Sequence, residues 1–408
     1  MADRGRLPSL LILPAPIEPA NRRALNAAYR PSIETALAKL KNPDEASNLI
    51  IAVVGAFLTG DDVATKAISW PEAQSLLAGL YTIVSVVSAK LSIATDANAG
   101  PGSVDARVVL VDHPHGTTFT DFQPGIDPNN TTVVDLRTFA SANHPWRYIF
   151  HVESEAGKQL HANYLKLAEG VQAIGDDQLV PVDGGSVALA EASGTTALAI
   201  QTQAYRTVCL GGTFDHLHPG HRLLLAAAAL LLRVPPPGSA TPCLLIVGIT
   251  GDEMLRNKKY AEYVQPWPER ARAVVDFLRT LLHLSRDGWA AGPAGPEQLD
   301  ERDGEVSAWF RGGTVAVRCV RIADAYGPTI TAEDMDALVV SGETRAGGTA
   351  VNERRAELGW RLLEVFEVDV LDAEDVAADG EEATGTRDFA AKISSTAIRR
   401  AKAQAGEP

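Results

Sequence analysis

Short blocks of buried-strand character and longer blocks of helical spacing alternate along the chain. The runs LLIL at 10–13 and LIIAVV at 49–54 have the length and β-branched content of buried strands. Residues 24–40 and Trp70–Lys90 repeat apolar positions at helical spacing with good helix formers. A strand is predicted at 108–111, followed by the turn-rich DHPHGTT, another at 133–136, and a helix at 156–169. Segments 94–103 and 174–186 read as loops. The first half is therefore expected to be an α/β domain.

The pattern is sharper in the second half. Residues 205–210 run directly into GGTFDHLHPGH and then an apolar helix. LLIVGIT at 244–250 is a second strand, 268–284 a helix, and Val315–Ile322, 337–340 and 363–368 three more strands. The Gly/Pro-rich 285–305 and the acidic, Gly/Ala-rich 371–389 read as loops. This alternation predicts a C-terminal doubly wound, Rossmann-like parallel sheet preceded by a second α/β domain. The expected division is 1–190, a linker at 191–204, and 205–408.

Composition narrows the classes of function. The chain has 408 residues, more than the ~100–200 of one typical domain, with 46% apolar and 22% charged residues. A net charge of −14 argues against a phosphate-backbone grip, so no nucleic-acid partner is expected. Cys209, Cys243 and Cys319 are far apart and flanked by apolar residues, which reads as reduced, core-facing cysteine. The apolar runs at 10–13 and 223–232 are too short for membrane spans, and no secretory signal is recognised. A cytoplasmic enzyme of small molecules, without a membrane partner, is expected. No GxxxxGK[ST] loop occurs in the sequence. In the first half His113, His115, His144, His151 and His161 offer little chemistry. The His113/His115 pair follows a predicted strand, and solvated turn histidines are favoured there over a metal or catalytic site.

The chemistry concentrates at 211–221. Paired glycines let the chain turn and let a ligand approach the backbone. Pro219 suits the first turn of a helix, and His218 and His221, three apart, share a side of it. Free N–H groups at the helix start and two imidazoles suit phosphoryl or nucleotidyl transfer by charge stabilisation. A zinc site from His216, His218 and His221 is disfavoured, because no acidic or Cys ligand pattern completes it. Ser394, Ser395 and Thr396 open a second helix that could receive a phosphate, with Arg399 one turn on. Its alternative is an ordinary cap with a basic solvated face.

Five ordered blocks resemble the phosphopantetheine adenylyltransferases of archaeal and eukaryotic type, within the HxGH nucleotidyltransferase superfamily. They are GGTFDHLHPGH at 211–221, VGITGDEMLRNKK at 247–259, QPWPER at 265–270, GPTITAEDMDALVVSGETRAGGTAVNERR at 327–355 and KISSTAIRR at 392–400. The resemblance covers about residues 205–400. It implies a Rossmann-like nucleotidyltransferase fold and adenylyl transfer from ATP to 4'-phosphopantetheine, giving dephospho-coenzyme A and pyrophosphate. It implies His218, His221 and Lys258 as catalytic groups, with Lys259 as the neighbour that could replace Lys258. Gly212, Thr213, Phe214, Ser341, Thr344, Arg355, Ser394, Ser395, Thr396 and Arg399 would bind the substrates. Arg354 is the alternative to Arg355 as a phosphate contact, and Arg270 is as apt to brace the wall as to touch substrate. Mg²⁺ is expected with the nucleotide, held by phosphates and water, and no resident metal site is expected. Gly342 departs from the pattern, standing where relatives usually carry an acidic residue. Residues 285–313 and 371–389 look like peripheral insertions. The rival readings are another adenylyl- or cytidylyltransferase of the superfamily and a non-catalytic scaffold subunit of a coenzyme A synthesis assembly. Residues 1–190 would be the part that associates with other enzymes of that pathway.

Overall fold

The structure, a computed structural model, describes residues 7–15, 21–96, 100–114, 124–185, 201–284, 298–369, 371 and 394–405. The first half opens with β1 (Ser9–Pro14), whose LLIL segment is buried on both faces. α1 (Arg22–Leu40) starts where the Asn21 side chain accepts the Ala24 N–H at 2.8 Å, satisfying a donor the helix leaves free. β2 (Ser47–Gly55) is followed by a small antiparallel pair, β3 (Leu58–Thr59) and β4 (Ala67–Ile68). Then come α2 (Trp70–Lys90), β5 (Val104–Asp112), β6 (Val134–Asp135), α3 (Leu136–Ala142), β7 (Ile149–Val152), α4 (Glu155–Ala168) and β8 (Leu179–Val182). Six strands form a parallel sheet in the order β6-β5-β2-β1-β7-β8.

The second half runs through β9 (Thr207–Gly212), α5 (Pro219–Ala229), β10 (Cys243–Thr250), α6 (Asp252–Leu255), α7 (Trp267–Leu282), β11 (Gln298–Arg302), β12 (Glu305–Phe310), β13 (Val315–Ile322), β14 (Ala337–Ser341), α8 (Arg345–Glu357), β15 (Glu364–Val368) and α9 (Ser395–Ala405). Its sheet has the order β11-β12-β13-β10-β9-β14-β15. The five strands from β13 to β15 are parallel, in the doubly wound arrangement that was expected.

Several local expectations need correction. β8 lies inside 174–186, which reads as loop; its LVPV is half exposed at a sheet edge, where proline is tolerated. β7 has only four residues, too few for a periodicity to show. At 133–136 the strand is two residues long, because Asp135 accepts the Thr138 N–H at 2.6 Å and starts α3. Residues 298–305, expected as loop, carry β11 and the start of β12, an antiparallel hairpin that extends the sheet past β13. Apart from Leu371, the loop expected at 371–389 lies outside the described residues, as do 285–297 and His115.

Odd and even positions of the first sheet face different helices. Leu11, Ile51 and Val53 pack under α1 and α2; Leu10, Ile12 and Ile50 pack under α3 and α4. In the second sheet Val208, Leu210 and Val247 face α5 and α7, while Cys209, Ile246 and Leu338 face α8. α2 then packs on α5, so one apolar core joins both halves, with Val108 and Tyr81 in the same cluster as Leu225 and Phe277. Among the described residues α2 is the helix long and apolar enough to cross a membrane, but most of it is buried in this core. Polar groups seal the seam. Trp70 Nε1 donates to the Ala227 carbonyl at 2.8 Å and Thr132 Oγ1 to the Ala229 carbonyl at 3.1 Å. Arg311 reaches the Thr131 and Thr132 carbonyls, each at 2.8 Å.

Candidate active site

A cleft of about 740 Å³ opens at the carboxyl ends of β9 and β14, where the strand order reverses and open α/β sheets place their ligands. Its floor is the turn between β9 and α5. Phe214 and His216 there have φ of +51° and +44°, a left-handed conformation uncommon for non-glycine residues. The surroundings enforce it. The Phe214 ring is fully buried and lies 5.3 Å from the His221 ring. The His216 N–H donates to Gln265 Oε1 at 2.8 Å, and His216 Nε2 sits 2.8 Å from the Tyr263 carbonyl. Arg270, fully buried, donates to the carbonyls of Thr213, Thr250 and Gln265 and pairs with Asp252. Arg270 therefore braces the wall.

His218 is the N-cap of α5, and its side chain makes no capping bond. The free N–H groups of its first turn remain available to an anion. Gly220 gives room at this point, since a Cβ there would lie 3.2 Å from the His218 ring. The His218 and His221 rings stack with centroids 3.8 Å apart, both line the cleft, and the Nδ1 of each is buried with no hydrogen-bond partner. Burial pushes both imidazoles below the ordinary histidine range, and the nearby Arg222 cation adds to this; His221 falls to about 3. Both rings are neutral near pH 7. His216 points elsewhere, toward Asp96 and the Tyr263 carbonyl. Among the described residues no three metal-ligating side chains converge.

The other expected groups fall into two sets. Gly212, Thr213, Lys258, Ser341, Thr344, Ser394, Ser395, Thr396 and Arg399 all border the same cleft. Lys258 is exposed at its rim, just after α6. The Ser341 N–H donates to Thr344 Oγ1 at 3.0 Å, shaping the turn into α8. Ser394 Oγ accepts the Ala397 N–H at 3.3 Å at the start of α9. Ser395 Oγ donates to the Asp215 carbonyl at 2.8 Å, and Arg399 pairs with the Asp215 carboxylate at 2.5 Å.

Phe214 and Arg355 lie outside the lining. The Phe214 side chain is beneath the surface, supporting His221. Arg355 is set apart from the cleft by its partners. It is fully buried, donates to the carbonyls of Thr329, Ala332, Glu333 and Arg361, and lies 5.2 Å from the Trp360 ring. Its donors are engaged by these carbonyls, so it holds the chain that crosses beneath α8. Arg354, the alternative, pairs with Glu357 at the surface. The sequence reading missed Asp215, which is completely buried and also accepts the Gln265 N–H at 2.9 Å. It thereby joins α9 to the β9–α5 turn. The available signal was an acidic residue inside an otherwise apolar and histidine-rich motif.

Residues 209–401 match the sequence family described as Cytidylyltransferase-like, and residues 1–188 match one described as a domain of unknown function. A phosphopantetheine adenylyltransferase of Thermococcus gammatolerans is 30% identical over 164 residues, 40% of this chain and 77% of the relative. The chain belongs to the nucleotidyltransferase superfamily. A phosphopantetheine adenylyltransferase of Saccharomyces cerevisiae is 33% identical over 204 residues, 50% of this chain and 51% of that relative. The chain thus spans about half the length of that relative. A solved structure of a protein of unknown function from Archaeoglobus fulgidus aligns with 40% of this chain and 89% of its own, at 28% identity and a TM-score of 0.27. The cleft at the strand crossover is the candidate nucleotide site.

Proposed function

We propose that the chain transfers the adenylyl group of ATP to 4'-phosphopantetheine, giving dephospho-coenzyme A and pyrophosphate. The observation that carries this reading is the convergence of His218, His221, the open N-terminus of α5, Lys258 and the start of α9 on one cleft. Three sequence blocks far apart along the chain supply these groups, and each resembles the corresponding block of the phosphopantetheine branch. Relatives bearing that activity's name are 30% and 33% identical to this chain over 164 and 204 residues.

The chemistry needs positioning and charge neutralisation. A phosphate oxygen of the acceptor attacks the α-phosphorus of ATP, the bond to the bridging oxygen breaks, and pyrophosphate leaves with that oxygen. The acceptor is already an anion, so no side chain need remove a proton. Neutral imidazoles at His218 and His221 donate hydrogen bonds to phosphoryl oxygens, and the α5 N–H groups add donors in a fixed direction. Lys258, on the rim, meets the charge that accumulates on pyrophosphate. ATP enters as its Mg²⁺ complex, the ion belonging to the substrate.

The superfamily match also fits another adenylyl- or cytidylyltransferase, since the Cytidylyltransferase-like family as such names no acceptor. The deciding experiment is pyrophosphate release with ATP or CTP against a panel of acceptors: 4'-phosphopantetheine, nicotinamide mononucleotide and phosphocholine. Turnover with ATP and 4'-phosphopantetheine is expected. Turnover confined to another acceptor overturns the substrate and keeps the reaction class; no turnover with any pair returns the scaffold reading.

A further inference from the structure

Among the described residues the first half brings no side chain to the cleft's lining, yet it holds the helix that does. Arg222 follows His221 in the chain and is fully buried. A buried guanidinium needs a counter-charge and acceptors for its donors. The first half supplies most of them. Arg222 lies 2.8 Å from Asp105 Oδ1, and donates to the Ala106 carbonyl at 3.1 Å and the Thr95 carbonyl at 2.6 Å. Its remaining contact is the Leu217 carbonyl at 3.1 Å, immediately before His218. One side chain therefore ties the entry to α5, the first turn of α5, and β5.

Asp105 is itself fixed. Its Oδ2 accepts from Arg107 Nε at 3.1 Å and from a terminal nitrogen of Arg107 at 2.7 Å. Arg107 in turn donates to the Asp276 carboxylate at 2.6 Å and to Thr280 Oγ1 at 2.9 Å, both on α7. That helix starts beside Arg270, which holds the Thr213 carbonyl. A second, weaker tie is Asp96, whose Oδ2 lies 3.6 Å from Nδ1 of the left-handed residue His216. The β9–α5 turn is thus clamped from one side by α7 and from the other by acidic residues of the first half.

Resting on the nucleotidyl-transfer reading of the cleft, we infer that Asp105, with Asp96, is a positioning residue for His218 and His221, and that setting the β9–α5 turn is the first half's role in the reaction. Transition-state stabilisation by fixed donors is sensitive to displacements of an ångström, and an unclamped Arg222 would let the start of α5 shift.

The test uses the full chain with Asp105→Asn, which keeps shape and removes charge. The expected result is a kcat lowered ~10–100-fold, an ATP dissociation constant within about threefold of the unaltered protein by the same reasoning, displaced imidazole NMR signals of His218 and His221, and partial recovery in Asp105→Glu. Arg311→Met is the control. It loosens the same seam at the Thr131 and Thr132 carbonyls, away from the turn. It should lower Tm while leaving kcat and the imidazole signals unchanged. If both variants lower Tm alike and neither changes kcat or the imidazole signals, Asp105 is merely structural and the inference fails. Should Asp105→Asn not fold, Asp96→Asn is read by the same measurements with the same two outcomes. An unaltered protein that releases no pyrophosphate refutes the proposed reaction, while the imidazole signals of the variants still decide the positioning role.

Discussion

His218 and His221 differ from cationic residues in the same place because burial keeps them uncharged. With both Nδ1 atoms unpartnered, each ring has an unused polar atom. Replacing His221 by Ala removes one donor of the kind worth ~3–4 kcal/mol in a transition state. A kcat lowered ~10²–10³-fold is expected from that loss. The thermal melt should stay close to that of the unaltered protein, because His221 makes no hydrogen bond through Nδ1. Retained kcat at saturating substrates would exclude the assigned role.

The depressed pKa of His221 also fixes a direction in pH. Unfolded histidine titrates near ~6.5, and folded His221 only near about 3. Between those values the unfolded chain binds a proton that the folded one does not, so stability falls as pH drops through this window. Above it, neither state gains. His221→Asn should flatten the loss of Tm between about pH 6.5 and pH 4, within the range set by those two values. An equally steep acid limb in the variant, measured by calorimetry, would show that other groups carry it.

At the scale of elements, arginines on different helices have opposite fates. Arg355 and Arg399 both belong to motif blocks, and periodicity places each on a helix. What distinguishes them is the partner. Arg355 meets four backbone carbonyls beneath α8; Arg399 meets the buried carboxylate of Asp215 at the cleft. Arg355→Met should therefore lower stability by ~2–5 kcal/mol, as for a lost set of buried charged hydrogen bonds, with KM for ATP within twofold. Arg399→Gln leaves Asp215 as an unpaired buried charge, at a cost of ~3–5 kcal/mol. It also frees α9 from the β9–α5 turn, and KM for ATP should rise about tenfold or more, as for loss of a charge-assisted contact. Denaturant unfolding and steady-state kinetics on the two variants separate these outcomes. The positions of β9, α5, β10 and β14 were legible because strong apolar runs abut glycines and motif residues. β7, β8 and β11 were not, since short or half-exposed strands carry too little periodicity.

For the whole molecule, the apolar surface of α2 is the counterpart of that of α5. Leu77 and Val84 lie in the same buried cluster as Leu225 and Ala228, and the Trp70 ring packs at 5.0 Å on Phe366 of the other half. Two sheets sharing one core should unfold together. A single calorimetric transition with equal calorimetric and van't Hoff enthalpies is expected. Trp70→Ala, which removes a buried ring and its bond to Ala227, should lower the stability of both halves at once by ~3–5 kcal/mol. Two resolved transitions, or a loss confined to the first half, would mean that the seam contributes little.

The sequence alone determined the α/β class, the doubly wound second sheet and the chemistry of the 211–221 turn. Strand and helix periods are local, and so is the coupling of paired glycines, a proline and two histidines at a helix start. Only the tertiary structure decided that Arg355 supports the fold, that Asp215 binds α9 to the turn, and that Arg222 is neutralised by Asp105, far away in the chain. Those outcomes depend on which charges are buried together, and burial is a property of packed elements that no local pattern encodes.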